Sequence, residues 1–489
     1  MLLLLLSSSS SSSLLLQSLF LTVVALVTTV AFAQSSSSPC SAAQQQTPSY
    51  PAPSVAPGYE ARLVATDLEQ PRGLVFDSRG HLLVLEQGVG IRNLELADRG
   101  GTCIDVVRST VVIASSALDH GLALSSDGRT LYASSSEAVF SWTYDPDNIE
   151  LRGGSDNNRT VVSNMGGSGH VTRTLLLSQK RNGTLLVSRG STSNVDLLAE
   201  EIESGHCQIK AFDLDAAPRT GRTGYDFNTD GKLLGWGLRN SVGVAEHPVT
   251  GGIYSVENSV DEIMRDEEDI HEDNPGEELN FHGTLDDDGE RGNYGYPNCF
   301  AAWAVDDIPN KGNLTVGSQF VMETDDRMND EFCARERIPP TLTFQAHTAP
   351  LDIKFTPDGN EAWITFHGSW DRTRPAGYKL SKVQFSDGSP VAASDSTTAA
   401  QDILTNPDND RCPSDCFRPV GLALDSKGRI FMSSDSTGEV YVIMKVDAST
   451  TSDTEPSSKT TSPSSAGGLR PPCSLCAFWI AFGLVCLLV

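Results

Sequence analysis

The stretch Gly421-Leu-Ala-Leu-Asp-Ser-Lys-Gly-Arg-Ile-Phe-Met432 reads as strand, tight turn, strand. Small and apolar residues run up to an Asp-Ser-Lys-Gly turn, where a glycine takes positive φ without cost, and a β-rich run follows. The pattern recurs along the chain. Copies begin at Gly73, Gly121, Leu175, Gly243 and Asp352, for example Gly73-Leu-Val-Phe-Asp-Ser-Arg-Gly-His-Leu-Leu-Val84 and Asp352-Ile-Lys-Phe-Thr-Pro-Asp-Gly-Asn-Glu-Ala-Trp363. A β-sandwich has no reason to repeat one hairpin in this way, whereas a β-propeller repeats one in each blade. The expected fold is therefore all-β, a six-bladed propeller. The widest gap lies between the fourth and fifth copies, where an acidic stretch and Gly/Asn-rich sequence to about residue 335 predict a long insertion.

The two ends of the 489-residue chain have a different character. Residues 1–33 carry Leu runs, a Ser tract and an apolar segment closing in Ala31-Phe32-Ala33, which predicts a cleaved signal peptide despite the lack of Lys or Arg before it. Residues 34–57 read as a linker and 58–446 as the propeller. Residues 447–468 read as a Ser/Thr/Pro-rich stalk ending in small residues, and 469–489 as the apolar tail removed when a GPI anchor is attached. The expected location is outside the cell, held at its surface by that anchor. The sequons at Asn158, Asn182 and Asn313 agree with secretion. So do the body cysteines, whose spacing allows Cys40 with Cys103, Cys299 with Cys333 and Cys412 with Cys416, leaving Cys207 single. A net charge of −27 argues against nucleic acid and anionic membranes as partners.

Equivalent positions in propeller repeats converge on the channel mouth. Just before the repeated cores stand Arg72, His120, His170, Arg239 with Asn240, His347 and Arg418. After the second strands come Glu86, Arg189, Glu257 with Asn258, His367 and Asp435. A ring of Arg and His suits an anionic ligand rich in hydrogen-bond acceptors, and a His within it suits proton abstraction near neutral pH.

Five stretches sharpen this reading. Gly237-Leu-Arg-Asn-Ser-Val-Gly243, His347-Thr-Ala-Pro350, Phe366-His-Gly-Ser-Trp-Asp-Arg-Thr-Arg-Pro-Ala-Gly-Tyr378 and Phe417-Arg-Pro-Val-Gly-Leu422, with Asn293-Tyr-Gly-Tyr-Pro297, resemble the sorbosone dehydrogenase and soluble glucose dehydrogenase superfamily. Secretion and the anchor point to its fungal branch, the pyrroloquinoline quinone (PQQ)-dependent pyranose dehydrogenases of auxiliary-activity family 12. The resemblance implies a sugar oxidised with PQQ and Ca2+. His170 would be the base and Arg239 would lie near the quinone carbonyl, oriented with Asn240. Arg72 and Arg418 would hold PQQ carboxylates, His347 and His367 would sit at the rim, and Trp370 and His120 would contact the sugar. The loop holding Asn258, Ser259 and Asp261 aligns with the family's metal loop, although this chain lacks the Gly-Pro pair of the bacterial pattern. With no Cys-x-x-Cys-His haem motif, electrons would pass to an external acceptor, for which the resemblance suggests a copper polysaccharide monooxygenase. Two alternatives remain: a calcium-dependent six-bladed lactonase or esterase, and a non-catalytic surface propeller that binds glycans. Neither calls for a cationic ring.

Overall fold

Each quoted repeat forms the two inner strands of a blade built on four antiparallel strands, with short extra strands added to the second and fifth. In a computed structural model, which describes residues 40, 46–216, 218, 223–287 and 292–446, six such sheets follow one another along the chain. The innermost strands, in order, are Pro71–Phe76, Leu118–Leu124, Leu175–Leu177, Ser241–Glu246, Pro350–Phe355 and Pro419–Leu424. Neighbouring innermost strands pack against each other, and the last packs on the first, so the channel is closed. Sheet closure uses the other end of the chain: Tyr59–Ala65 is the outermost strand of the sixth blade, pairing with Glu439–Lys445.

The second strands explain why the repeats read as continuous apolar runs. Leu82 and Val84 pack toward the sixth blade, while Leu83 and Leu85 pack toward the second. Successive side chains alternate faces, and both faces of a blade are covered by neighbours. Six separate apolar cores fill the six spaces between blades.

A polar device holds the blades at their narrow inner edge. In the second blade the inner strand shifts register between Leu118 and Leu122, which takes the Gly121 N–H out of the ladder. Ser134 Oγ accepts that N–H at 2.8 Å and donates onward to Arg173 O, at the entrance to the third blade, at 2.7 Å. The sixth blade repeats it: Ser433 Oγ accepts from Gly421 N at 2.8 Å and donates to Arg72 O of the first blade at 2.7 Å. In the fifth blade Thr365 Oγ1 accepts from Asp352 N and donates to Val420 O. These hydroxyls are fully buried. The glycine is required by closeness: a Cβ on Gly121 would lie 2.2 Å from Arg173 O, and one on Gly421 would lie 2.2 Å from Arg72 O.

Loops at the opposite ends of the strands differ greatly in length. Between Glu257 and the fifth blade the chain supplies two further strands of the fourth blade, Glu277–Thr284 and Leu342–Phe344. It also forms the hairpins Met264–Arg265/Glu268–Asp269 and Cys299–Ala301/Gln319–Val321, and the helix Asp330–Glu336. This insertion has its own core around Val260, Ile263, Tyr296, Phe300 and Phe320, and Cys299–Cys333 ties the helix to a hairpin. Cys40–Cys103 and Cys412–Cys416 also form, and Cys207 is buried and free.

The segment expected as a linker is docked over its described part. Tyr50 is buried against Phe417, its hydroxyl bonded to Glu439 and Tyr441, and Ser54–Val55 adds a short strand to the edge of the fifth blade. An aromatic ring and an open sheet edge supply the physical reason. The signal-peptide, stalk and anchor segments lie outside the described residues. Among the described residues no helix is long and apolar enough to cross a membrane.

Removing one hydroxyl bridge strands a buried N–H and removes the donor to a buried carbonyl, each costing about 1–3 kcal/mol. Ser134→Ala should therefore lower unfolding stability by about 2–6 kcal/mol in chemical denaturation. Gly121→Ala should yield little folded protein, because its clash is with backbone.

Candidate active site

The register shift that frees the inner-strand N–H also places the residues just before it at one end of the channel. Two clusters result. In the first, Asp435 follows the second strand of the sixth blade and accepts from Arg72 Nη1 at 2.6 Å and from His367 Nε2 at 2.9 Å. Arg72 Nε reaches His120 Nδ1 at 3.3 Å. Arg418 lies over the Tyr378 ring at 5.6 Å and donates to the carbonyls of His367 and Gly368. Asp435 is buried, but His367 and Arg72 hold its carboxyl well below the usual range. Burial, then Arg72, pushes His120 down, and burial also lowers His367. No hydrogen bond engages Arg72 Nη2 or Arg418 Nη1 among the described residues, so two guanidinium groups have donors left for an anion.

The second cluster is built on the loops after the second strands of the third and fourth blades. His170 Nδ1 lies 2.8 Å from Ser191 Oγ, which itself donates to Ser193 O. The hydroxyl has one proton, so it accepts from Nδ1–H, and Nε2 carries the imidazole lone pair. Burial, with Arg239 as the next cause, pushes His170 down to about 4, so it is a neutral base at neutral pH. Gly190 makes the approach possible: a Cβ there would stand 2.7 Å from Asn240 Oδ1 and 2.9 Å from His170 Cβ.

Arg239 is 3% exposed and its partners are a finding against expectation. Nε donates to Asn194 O, Nη2 to Asn194 Oδ1 and Asp261 Oδ2, and Nη1 to Asn258 O and Ser259 O. All five N–H groups are thereby used within the protein, so Arg239 acts on this site through its charge and has no donor left for a quinone carbonyl. The same contacts bear on the metal loop. The carbonyls of Asn258 and Ser259 face this guanidinium, each retaining a second lone pair. The group close enough to share an ion is Asp261, His347 and Asp371, whose ligand atoms lie within 4.8 Å of one another.

His347, expected at the rim, stands beside the Asp261 loop. With φ of 59° it turns toward the insertion, its Nε2 at 2.5 Å from His271 O and Nδ1 at 3.8 Å from Asp261. His120 is 6% exposed and lies against Arg72 in the first cluster. Trp370 is 67% exposed on a loop whose Asp371 accepts from Glu262 N. Asn240 lines the His170 cradle through Gly190.

Several residues of the site carry no sequence signal. Asn194 accepts twice from Arg239 and once from Asp261 N, and Ser191 fixes the His170 tautomer, yet both sit in an unpatterned loop. Glu277 is buried behind the site, accepting from Ser259 N and Ala349 N, and burial raises it to about 7.

This arrangement belongs to a recognised group of proteins. A family model described as TrAA12-like matches residues 53–446. The chain belongs to that family. Over 400 residues it is 50% identical to the pyrroloquinoline quinone-dependent sugar dehydrogenase of Hypocrea jecorina (strain QM6a), covering 81% of this chain and 90% of that protein. Over 412 residues it is 36% identical to the pyrroloquinoline quinone-dependent pyranose dehydrogenase of Coprinopsis cinerea, covering 80% of this chain and 54% of that protein, so it spans about half that relative's length. Among solved structures, the calcium structure of Trichoderma reesei carbohydrate-active enzyme family AA12 superposes with a TM-score of 0.79 at 50% identity, covering 82% of this chain and 99% of that one. The holo form of the pyranose dehydrogenase PQQ domain from Coprinopsis cinerea superposes with 0.76 at 35% identity, covering 82% and 98%.

The pH dependence of the first cluster follows from Asp435. Its folded pKa is depressed, so it stabilises the fold above the unfolded carboxyl value of about 3.9, and that contribution is lost as pH falls below it. Asp435→Asn should destabilise the fold at pH 6. Between pH 4 and 2 it should flatten the fall in denaturation midpoint.

Proposed function

We propose that this chain is a PQQ-dependent dehydrogenase that oxidises pyranose sugars, with calcium beside the cofactor and electrons leaving to an external acceptor. The observation that carries the reading is the pairing of an oriented, neutral base at His170 with two guanidinium groups that keep free donors, Arg72 and Arg418. A planar tricarboxylate such as PQQ matches those donors, and its relatives' names agree.

When bound, PQQ supplies the carbonyl that accepts the hydride from the substrate C–H bond. His170 Nε2 takes the proton of the hydroxyl on the same carbon. Ser191 holds the imidazole in the tautomer that permits this, and Arg239 disfavours premature protonation. Asp435 keeps Arg72 and His367 in place. Hard calcium prefers oxygen, so the carbonyl lone pairs of Asn258 and Ser259 and the Asp261 carboxylate are the donors proposed for it. Trp370 offers an exposed face for a pyranose ring. Three disulfides favour an oxidising compartment, which supports secretion and, with the C-terminal signal, surface anchorage.

Apoprotein loaded with PQQ and Ca2+ should reduce an artificial dye in the presence of aldoses. Failure to bind PQQ at micromolar concentration, or no dye reduction with any sugar, would refute the reading. His170→Ala should keep PQQ binding but lose about 10²–10⁴ in kcat, the usual worth of a general base. Because His170 protonates near pH 4, the acid limb of kcat/KM should fall there and not near 6.5. Chelation of Ca2+ should weaken PQQ binding, measured by fluorescence.

A further inference from the structure

The mouth face exposes apolar side chains that the chemistry does not use. Leu197 and Leu198 are 68% and 47% exposed, and Ile202 is 38% exposed. They are not on a loose loop. Asp196 accepts from Leu198 N, Thr192 N and Thr192 Oγ1 and pairs with His206, and Ala199 between them is buried in the insertion core. The fold therefore holds two leucines out in water on a rigid platform.

A groove of about 480 Å3 lies beside them, lined by Met264, Val321, Met322 and Met328. Asn298, which also lines it, donates to Glu200 of the leucine platform at 2.9 Å, and Met322 packs on the same core as Ala199. Platform and groove thus form one strip, apolar at both ends and joined where Asn298 meets Glu200. Its surroundings are acidic. Glu201, Glu203, Glu267, Glu323 and Asp325 are all exposed around it, against the exposed Arg327.

The strip is joined to the site. Asn194 holds Arg239 with both its carbonyl and its side chain, and Leu197 is three residues further on, within about 11 Å even for extended chain. Sugar sites usually offer an aromatic face to the ring, and none lines this strip, whose polar groups are Asn298 and carboxylates around exposed leucine and methionine. Exposed leucine and methionine within an acidic rim instead match a protein with an apolar centre and a basic rim.

We propose that the strip from Leu197 and Leu198 to the methionine groove is the docking surface for a basic, one-electron redox protein that reoxidises this enzyme. The proposal rests on the dehydrogenase reading above. The reduced cofactor gives up two electrons, one to each of two acceptor molecules docking in turn, and its two protons go to solvent.

The test uses the PQQ-loaded full chain with two acceptors, a small dye and ferricytochrome c as a basic one-electron probe. The Leu197→Asn/Leu198→Asn and Glu201→Lys/Glu203→Lys variants should keep dye-linked kcat/KM within about twofold of the parent. Their second-order rate with ferricytochrome c should fall by about tenfold or more, the scale on which electrostatic steering acts. The parent's rate should fall steeply with salt and the charge variant's should not. Calorimetry of ferricytochrome c with the oxidised enzyme, without sugar, should show the same loss of binding. Unchanged ferricytochrome c rate and binding in both variants would overturn the proposal. So would loss of dye-linked turnover on oligosaccharides alone, which would make the strip a glycan subsite, or loss of self-association in light scattering, which would make it a contact between copies. If the parent reduces no dye, the function reading fails, while calorimetry still reports on docking.

Discussion

The structure depends on a hydroxyl placed between two blades. Ser134, Ser433 and Thr365 each accept a hydrogen bond from an inner-strand N–H of their own blade and donate one to a carbonyl at the next blade's inner edge. Near the channel the blades come so close that a Cβ added to Gly121 or Gly421 would lie 2.2 Å from a backbone carbonyl of the next blade. Backbone groups there have no water to turn to, so they must be paired within the protein. The hydroxyl pairs them, and the apolar cores further out supply most of the burial.

The same register shifts build the site. Each takes one residue out of the ladder and sets the residues before it at the channel end, where Arg72, His120 and Arg418 meet side chains following other second strands. Charges gathered this closely are tolerable because each is matched. Asp435 serves Arg72 and His367 together, and Arg239 spends all five donors on five oxygens. That full satisfaction gives Arg239 a fixed position and a field, which adds to burial in keeping His170 neutral. Behind the wall, burial and mutual repulsion push Glu257 and Glu278 up, so the cluster of acids does not add its whole charge to the site.

Much of this is legible in the chain. The hairpin repeats gave the blade count because a propeller's period is written in local turn chemistry, as in Asp425 to Gly428. The ring of Arg and His was legible because repeat geometry sends equivalent positions to one place. Ser191 and Asn194 were not, since their loop has no counterpart in other repeats. Nor were the partners of His347, since His271 and Asp261 come from the insertion, which has no counterpart in other repeats.

Sequence alone therefore determined the all-β class, the six repeats and the permitted disulfide pairs, which follow from local pattern or spacing, and it offered a set of candidate site residues. Tertiary structure decided which of those residues have donors left to bind with. Arg72 and Arg418 keep one nitrogen each, whereas Arg239 keeps none, and nothing in the Leu-Arg-Asn motif distinguishes them. A guanidinium's role is set by the oxygens around it, and those oxygens come from loops far apart in the chain, brought together only when the ring of blades closes.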